Sequence, residues 1–149
     1  MYFSPDQSQM IALETKGVYF IKRNGNIYNE TIQVEENYEF PLYAEFTPDG
    51  QYLYIVQRNG LTRVLEKNIT DLWEEKVSID LNNPGGDGTF AGCINHDHTK
   101  VMTHWQGNWR EFEIDVEKGI SNQIDSGTFG EMIFGMQFRA DDKKIFLYR

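Results

Sequence analysis

At 149 residues and 17.4 kDa, the chain has room for one domain and can bury a core without disulfide or metal support. Its 14 basic and 23 acidic residues give a net charge of −9, so neither nucleic acid nor an anionic membrane surface is an expected partner. No stretch approaches the ~18 apolar residues of a membrane span, so membrane insertion is not expected. Cys93 is the only cysteine, which excludes a disulfide within the chain and is compatible with a reducing compartment.

A turn centred on aspartate recurs along the chain. The four turns run from Phe3 to Gln7, Phe46 to Gly50, Ile94 to His98 and Phe138 to Asp142. Their aspartates, Asp6, Asp49, Asp97 and Asp141, are 43, 48 and 44 residues apart. In such a turn the carboxylate can accept a hydrogen bond from the backbone two residues further on. A period in the mid-forties is the length of one β-propeller blade.

Two strands joined by a glycine hairpin are predicted after each complete turn. The first strands are Gln9 to Leu13, Tyr52 to Gln57, Lys100 to Trp105 and Lys143 to Tyr148. The turn glycines are Gly17, Gly60 and Gly107, and the strands after them are Val18 to Lys22, Leu61 to Glu66 and Trp109 to Val116. Asn59-Gly60 is the strongest of these hairpin signals.

The remaining strands are predicted at the rim and at the centre of each unit. More polar strands, Ile27 to Val34, Lys76 to Leu81 and Ser121 to Asp125, suit a solvated rim. Strands with small residues, Phe40 to Phe46, Thr89 to Ile94 and Met132 to Phe138, suit a crowded central axis, with Ala44, Ala91, Gly92 and Gly135 as the small residues. We find no convincing helix, although the inserted segment from Asp71 to Glu75 has room for one helical turn.

The predicted fold is therefore all-β: a partial β-propeller of about three and a half four-stranded antiparallel blades. We expect one domain over residues 1–149, with repeat units at about 1–43, 44–91, 92–135 and an incomplete 136–149. An open stack leaves unpaired strand edges. We therefore expect the chain to be a fragment of a longer polypeptide, or to close by pairing with another copy or another chain.

Several segments resemble the YVTN and LVIVD class of propeller repeats, which are relatives of WD40-like repeats. The resemblance lies in Ser4-Pro5-Asp6, in Thr47 to Ile55 and in Gly107 to Val116, and similar units cover nearly the whole chain. Gly-His and Trp-Asp pairs typical of WD40 repeats are absent, and the third unit has His96-Asp97-His98 where the second has Pro48-Asp49-Gly50. The resemblance implies a rigid disc whose loops and edges bind other molecules, most often proteins. It supplies no catalytic residues.

Two groups of residues are candidate sites. His96, Asp97 and His98, with His104 nearby, form the only cluster of metal-capable side chains, but a plain turn also explains them. Trp73, Trp105 and Trp109 are candidate protein-binding anchors, and blade-to-blade packing is the alternative for each. We predict no catalytic residue, no cofactor and no metal.

Three functions remain open. The leading hypothesis is a non-enzymatic propeller scaffold for protein–protein interaction, as a fragment or subunit of a larger propeller or assembly. Its expected partner is a protein, or another copy that completes the propeller. The first alternative is a metal-dependent, lactonase-like propeller hydrolase that uses His96, Asp97 and His98. The second alternative is a purely structural component of a complex.

Overall fold

The computed structural model describes residues 1–81, 91–105, 107–128, 133–139, 141 and 143–148. Within these ranges every regular element is a β-strand. The strands are β1 (Tyr2–Phe3), β2 (Gln9–Glu14), β3 (Gly17–Asn24), β4 (Ile27–Glu36), β5 (Pro41–Phe46), β6 (Tyr52–Gln57), β7 (Leu61–Lys67), β8 (Trp73–Asp80), β9 (Ala91–Ile94), β10 (Lys100–Trp105), β11 (Asn108–Asp115), β12 (Ile120–Thr128), β13 (Ile133–Phe138) and β14 (Lys144–Tyr148). Accordingly, no helix long and apolar enough to cross a membrane occurs in these ranges.

The strands form four antiparallel sheets in which each strand pairs with its neighbours in sequence. Sheet 1 contains β1–β4, sheet 2 contains β5–β8, sheet 3 contains β9–β12, and sheet 4 contains β13 and β14. Consecutive sheets pack face to face, and their first strands lie side by side. This architecture confirms the predicted partial β-propeller.

The aspartate turns have the predicted hydrogen bonds. Asp6 Oδ1 accepts from the Ser8 backbone N–H at 2.9 Å, and Asp49 Oδ1 accepts from the Gln51 N–H at 3.0 Å. The residue after Asp49 is Gly50, whose φ of +70° lies in the left-handed region that favours glycine. The local hydrogen bonds and backbone conformation together explain why this turn recurs.

The third turn uses the same backbone donors as the second turn but a different acceptor. Asn95 Oδ1 accepts from the backbone N–H groups of Thr99 at 2.9 Å and Lys100 at 2.7 Å. His98 occupies the position of Gly50, with a φ of +59°. An asparagine two residues before the aspartate therefore supports the turn without Pro-Asp-Gly.

Two local predictions were wrong. Gly17 is not in the hairpin turn but begins β3, where it pairs with Glu14, and a Cβ there would lie 3.2 Å from the Glu35 carbonyl oxygen. The predicted helical turn at Asp71–Glu75 is instead the start of β8 at Trp73. Asn68 Oδ1 accepts from the N–H groups of Thr70 and Leu72, so the tight turn ends before Trp73 and the chain enters the strand.

The core consists of three layers, one between each pair of consecutive sheets. The layer between sheets 1 and 2 includes Ile11, Val18, Phe20, Leu53, Ile55, Leu65 and Trp73. The layer between sheets 2 and 3 includes Val56, Val64, Ile79, Ile94, Val101 and Phe112. The layer between sheets 3 and 4 is smaller, and it combines Cys93, Met102 and Met136 with a buried ion pair between Glu111 and Lys144.

Candidate interaction surface

Sheet 1 has one covered face and one uncovered face. Because side chains alternate along a strand, Ile11, Val18 and Phe20 point towards sheet 2, where they are fully buried. Their neighbours point the other way, and no other sheet of the described chain packs on them. We call this surface the open face; it consists of Phe3, Met10, Ala12, Tyr19, Ile21, Arg23, Tyr28 and Val34.

The open face is chemically equivalent to faces that are covered elsewhere in the chain. Met10 and Ala12 stand four and six residues after Asp6, and Met10 pairs with Ile21. The corresponding set in sheet 2 is Leu53, Ile55 and Leu65, and in sheet 3 it is Val101, Thr103 and Phe112. Both corresponding sets are buried, mainly against the preceding sheet, whereas the sheet 1 residues are partly exposed. Sheet 1 therefore presents an interior-type surface to its surroundings.

Aromatic rings cover the end of the open face nearest the aspartate turn. The Phe3 and Tyr28 ring centroids are 5.3 Å apart, and the Tyr28 hydroxyl donates to the Gln7 carbonyl oxygen at 2.8 Å. The Arg23 guanidinium lies 6.0 Å from the Tyr28 ring centroid. Even so, Phe3 is 53% exposed, which is a large fraction for a phenylalanine.

A cavity lies at each end of the open face. The cavity at the aspartate-turn end has a volume of about 310 Å³ and is lined by Phe3, Arg23 and Tyr28, among others. The cavity at the hairpin end has a volume of about 440 Å³ and includes Gly17 and Tyr19 in its lining. These hollows are large enough to receive side chains from a neighbouring protein surface.

Trp73, predicted as a candidate anchor, lies in the layer between sheets 1 and 2. Its ring is 2% exposed and is stacked 6.1 Å from Phe20, while the indole N–H donates to Gln9 Oε1 at 2.8 Å. The Trp73 backbone N–H also donates to Gln33 Oε1 at 2.8 Å. Sheet 1 therefore holds the Trp73 ring in the interior of the molecule. A partner protein cannot contact the ring there.

The other two tryptophans lie on sheet 3. Trp109 is half-buried on β11, where a Cβ on Gly127 would come within 2.6 Å of its indole nitrogen and Lys144 Nζ lies 4.3 Å from its ring centroid. Trp105 ends β10, and its side chain lies outside the described residues. Trp73 and Trp109 lie on different sheets, and no tryptophan lies on a strand of sheet 1.

The candidate metal ligands lie in and near the third aspartate turn. His96 and Asp97 are exposed, whereas His98 is 8% exposed and packs against Tyr54 with a ring-centroid distance of 5.1 Å. His104 is buried on β10, and burial lowers the pKa of its imidazole. Among the described residues, no three His, Cys, Asp or Glu side chains converge to hold a metal ion.

Cys93 lies in the layer between sheets 3 and 4. Burial raises the pKa of its thiol to about 12. The side chain is therefore a neutral thiol near neutral pH and behaves as a small apolar residue.

The sequence matches no family model and no curated protein, but it is similar in fold to solved structures. A protein from Bacteroides uniformis provisionally named a 6-phosphogluconolactonase aligns with a TM-score of 0.76 and 14% identity, over 97% of this chain and 45% of that chain. A protein from Bacteroides fragilis with the same provisional name aligns with a TM-score of 0.69 and 13% identity, over 87% of this chain and 38% of that chain. The Cps50 (Swd1) β-propeller domain of Myceliophteria thermophila aligns with a TM-score of 0.72 and 12% identity, over 93% of this chain and 46% of that chain.

These similarities identify the fold of the chain as that of a β-propeller. The chain spans less than half the length of each of these three solved structures. At 12–14% identity the similarity concerns the fold alone.

The open face was not predicted from the sequence, although a signal for it exists. Aligning the units on their aspartates places Met10 and Ala12 opposite Leu53 and Ile55. That alignment shows that Met10 and Ala12 occupy positions whose counterparts in sheet 2 are buried between sheets. Only the stacking order of the sheets shows that no described sheet covers them.

Proposed function

We propose that the chain is a non-enzymatic β-propeller scaffold for protein–protein interaction, acting within a larger propeller or assembly, and that it binds through the open face. The observation that carries the proposal is the partial exposure of Met10, Ala12 and Ile21, whose counterparts in sheets 2 and 3 are buried between sheets. Full burial of a side chain the size of methionine or isoleucine is favourable by roughly 1.5–3 kcal/mol. Because Met10 and Ile21 are already partly buried, a protein that covers them gains a fraction of this free energy at each residue.

The form of the open face also favours a protein over a small ligand. It is a broad, three-to-four-strand surface with aromatic residues and an arginine at one end, and aromatic and arginine side chains are enriched at interaction hot spots. The two cavities lie at opposite ends of it rather than forming a single enclosed pocket. Small-molecule sites are typically concave and enclose most of the ligand.

The proposal is tested by comparing two lysine variants in partner capture from a native extract. Ile21→Lys places a charge on the open face, whereas the matched control Ile124→Lys alters a 43%-exposed isoleucine on β12 of sheet 3. We expect wild type and Ile124→Lys to retain the same proteins and Ile21→Lys to lose them. Chemical cross-links from the retained proteins should reach Lys16, which borders the hairpin-end cavity. Equal capture by both variants would contradict the proposal.

A lactonase-like hydrolase is the second candidate, because two of the matched structures carry that provisional name. A third described cavity, of about 490 Å³ beside β11 and β12, is lined by Glu113, Asp115 and Glu117. These carboxylates would repel a phosphorylated lactone, so the electrostatics favour the scaffold. Hydrolysis of 6-phosphogluconolactone above the spontaneous rate, unchanged in Ile21→Lys, would support the hydrolase instead.

A further inference from the structure

We infer that the layer between sheets 3 and 4 is a binding site for the soft monovalent metal ion Cu(I), held by Cys93, Met102, Met136 and His104. The inference goes beyond the proposed function, because it concerns the interior of the chain and not the open face. It follows from the packing of three sulfur-containing side chains, from the unpaired nitrogens of the histidine beside them, and from the charge balance of the layer.

The three sulfur-containing side chains pack together between the sheets. Cys93 on β9 and Met102 on β10 are directly opposite each other in sheet 3, and Met136 on β13 packs against them from sheet 4. Each of the three is at most 8% exposed. Thiolate and thioether sulfur atoms are the ligands that select Cu(I). This layer therefore combines the donor types that a Cu(I) site requires.

His104 adds a nitrogen donor on the same face of sheet 3. Side chains alternate along β10, so His104 points to the same side as Met102, and it is the diagonal neighbour of Cys93 across the β9–β10 pair. Diagonal neighbours lie about 7–8 Å apart, within reach of long side chains. Met136 joins this set only because β13 packs beside β9, which is why the sequence did not indicate the site.

The state of the His104 ring indicates a ligand. The residue is 4% exposed, and neither ring nitrogen has a hydrogen-bond partner among the described residues. Buried polar groups are normally paired, so an imidazole with two unpaired nitrogens needs an explanation. Burial also favours the neutral imidazole, which is the form that binds metal ions. A metal ion bound to one nitrogen would give the ring the partner that it lacks.

The charge balance of the layer suits a monovalent cation. When Cys93 binds the ion, its S–H bond breaks, a sulfur–metal bond forms, and the proton passes to solvent. One thiolate neutralises one Cu(I), because the two thioethers and the imidazole carry no charge. The neighbouring Glu111 and Lys144 already form an ion pair. Zn(II) would leave a net buried charge and does not favour thioether ligands, so the site should discriminate against it.

Sheet 4 provides a route by which the ion can enter. It contains two described strands, and it docks on the smallest of the three layers. A two-stranded sheet is marginally stable by itself, so local opening of sheet 4 should expose the four ligands while the larger layers stay intact. A bound ion would join β9, β10 and β13 and should oppose this opening.

The test is an anaerobic titration of the purified, reduced chain with Cu(I), in competition with a chromophoric Cu(I) chelator. We expect wild type to bind one ion per chain, with an ultraviolet absorption band from thiolate-to-Cu(I) charge transfer. Cys93→Ala should abolish the band and lower the affinity at least a hundredfold. Met102→Leu and Met136→Leu preserve the apolar volume and should each lower the affinity at least tenfold. His104→Phe should have an effect of the same size.

The matched control is Met10→Leu, which alters a partly exposed methionine of sheet 1 and should leave the affinity unchanged. Circular dichroism of each metal-free variant establishes that it is folded. A folded wild type that binds no stoichiometric Cu(I), or that binds Zn(II) as tightly, would overturn the inference. Binding that depends on Cys93 but is unaffected by the two leucine variants and by His104→Phe would also overturn it, because the thiol would then bind the ion without the other three ligands.

Discussion

At the scale of single residues, Trp73 fastens sheet 2 to sheet 1. Its ring packs against Phe20 and Phe46, with centroid distances of 6.1 and 5.5 Å, and its indole N–H donates to Gln9 Oε1. Gln9 is itself 3% exposed and donates through Nε2 to the Asp71 carbonyl oxygen at 3.2 Å. The hydrogen bonds let a glutamine and an indole share an otherwise apolar layer, because both polar groups of the pair are satisfied.

We predict that Trp73→Phe destabilises the protein by about 1–3 kcal/mol, because it leaves Gln9 Oε1 buried without its indole donor. For a chain of this size the melting temperature should fall by roughly 2–4 °C for each kcal/mol. The double variant Trp73→Phe with Gln9→Met removes the orphaned oxygen and should recover part of the loss. Thermal unfolding followed by circular dichroism measures both. Equal melting temperatures for wild type and Trp73→Phe would show that the hydrogen bond is unimportant.

Asp6 gives the first turn a pH-dependent contribution to stability. The Ser4 hydroxyl and the Ser8 backbone N–H donate to its carboxylate and lower its pKa from 3.8 to about 2. A carboxyl group with a lower pKa in the folded state stabilises the fold above pH 4, and this contribution disappears as the pH falls to about 2. Because Asp6 is exposed, solvent screening limits the contribution to less than about 1 kcal/mol.

We predict that Asp6→Asn reduces the dependence of stability on pH between 4 and 2, since asparagine does not titrate there. Urea unfolding of wild type and variant at several pH values gives the two slopes. A direct NMR titration of the Asp6 carboxyl in the wild type should place its pKa near 2. Parallel slopes for the two proteins would contradict the prediction.

At the scale of strands, the packing of β12 against β11 depends on the absence of a side chain at Gly127. A Cβ there would lie 2.6 Å from Trp109 Nε1 and 2.8 Å from Cε2, closer than real contacts allow. Lys144 of β14 lies over the same ring. Displacement of the Trp109 ring therefore affects both the outer edge of sheet 3 and its contact with sheet 4.

We predict that Gly127→Ala lowers the free energy of unfolding by about 1–3 kcal/mol, the usual cost of overpacking. The intrinsic fluorescence should also change, because the ring of Trp109 must shift. Ser126→Ala is the matched control, since it changes a neighbouring exposed residue on the same strand. Similar stabilities of the two variants in urea would show that Trp109 moves aside without cost.

The strands also show which features of the fold could be predicted from the sequence. The limits of β6, Tyr52–Gln57, were predicted correctly because local signals, an aspartate turn before it and Asn59-Gly60 after it, define both ends. The start of β8 was missed because acidic residues around Trp73 resemble a helical turn. Its true surroundings are Gln9 and Gln33, 64 and 40 residues away in sequence. Contacts at that range are set by sheet stacking. For the same reason the sequence places Met10 and Ala12 at positions that are buried in other units, but it does not show that no described sheet covers them.

At the scale of the whole molecule, the sheets differ in how firmly they are held. Sheets 2 and 3 share an extensive apolar layer, whereas sheet 4 has two described strands and docks on a smaller layer. A two-stranded sheet is marginally stable by itself, so its contacts with sheet 3 must hold it in place. Lys144 supplies much of this contact through ion pairs with Glu111 and Asp125 and through the Trp109 ring.

We predict that Lys144→Met loosens sheet 4 without unfolding the rest of the chain. The Glu111 carboxylate is 4% exposed and would retain only the more distant Lys100, at 3.7 Å, among its ion-pair partners in the described chain. A buried charge that loses its partner is strongly destabilising, so local opening becomes easier. Amide hydrogen exchange in β13 and β14 should accelerate at least tenfold while β6 and β7 remain protected.

Glu111→Gln in the Lys144→Met background tests the cause of this loosening, because it removes the uncompensated charge and should restore part of the protection in β13 and β14. If Lys144→Met instead accelerates exchange equally in all four sheets, sheet 4 unfolds together with the core rather than as a separate unit.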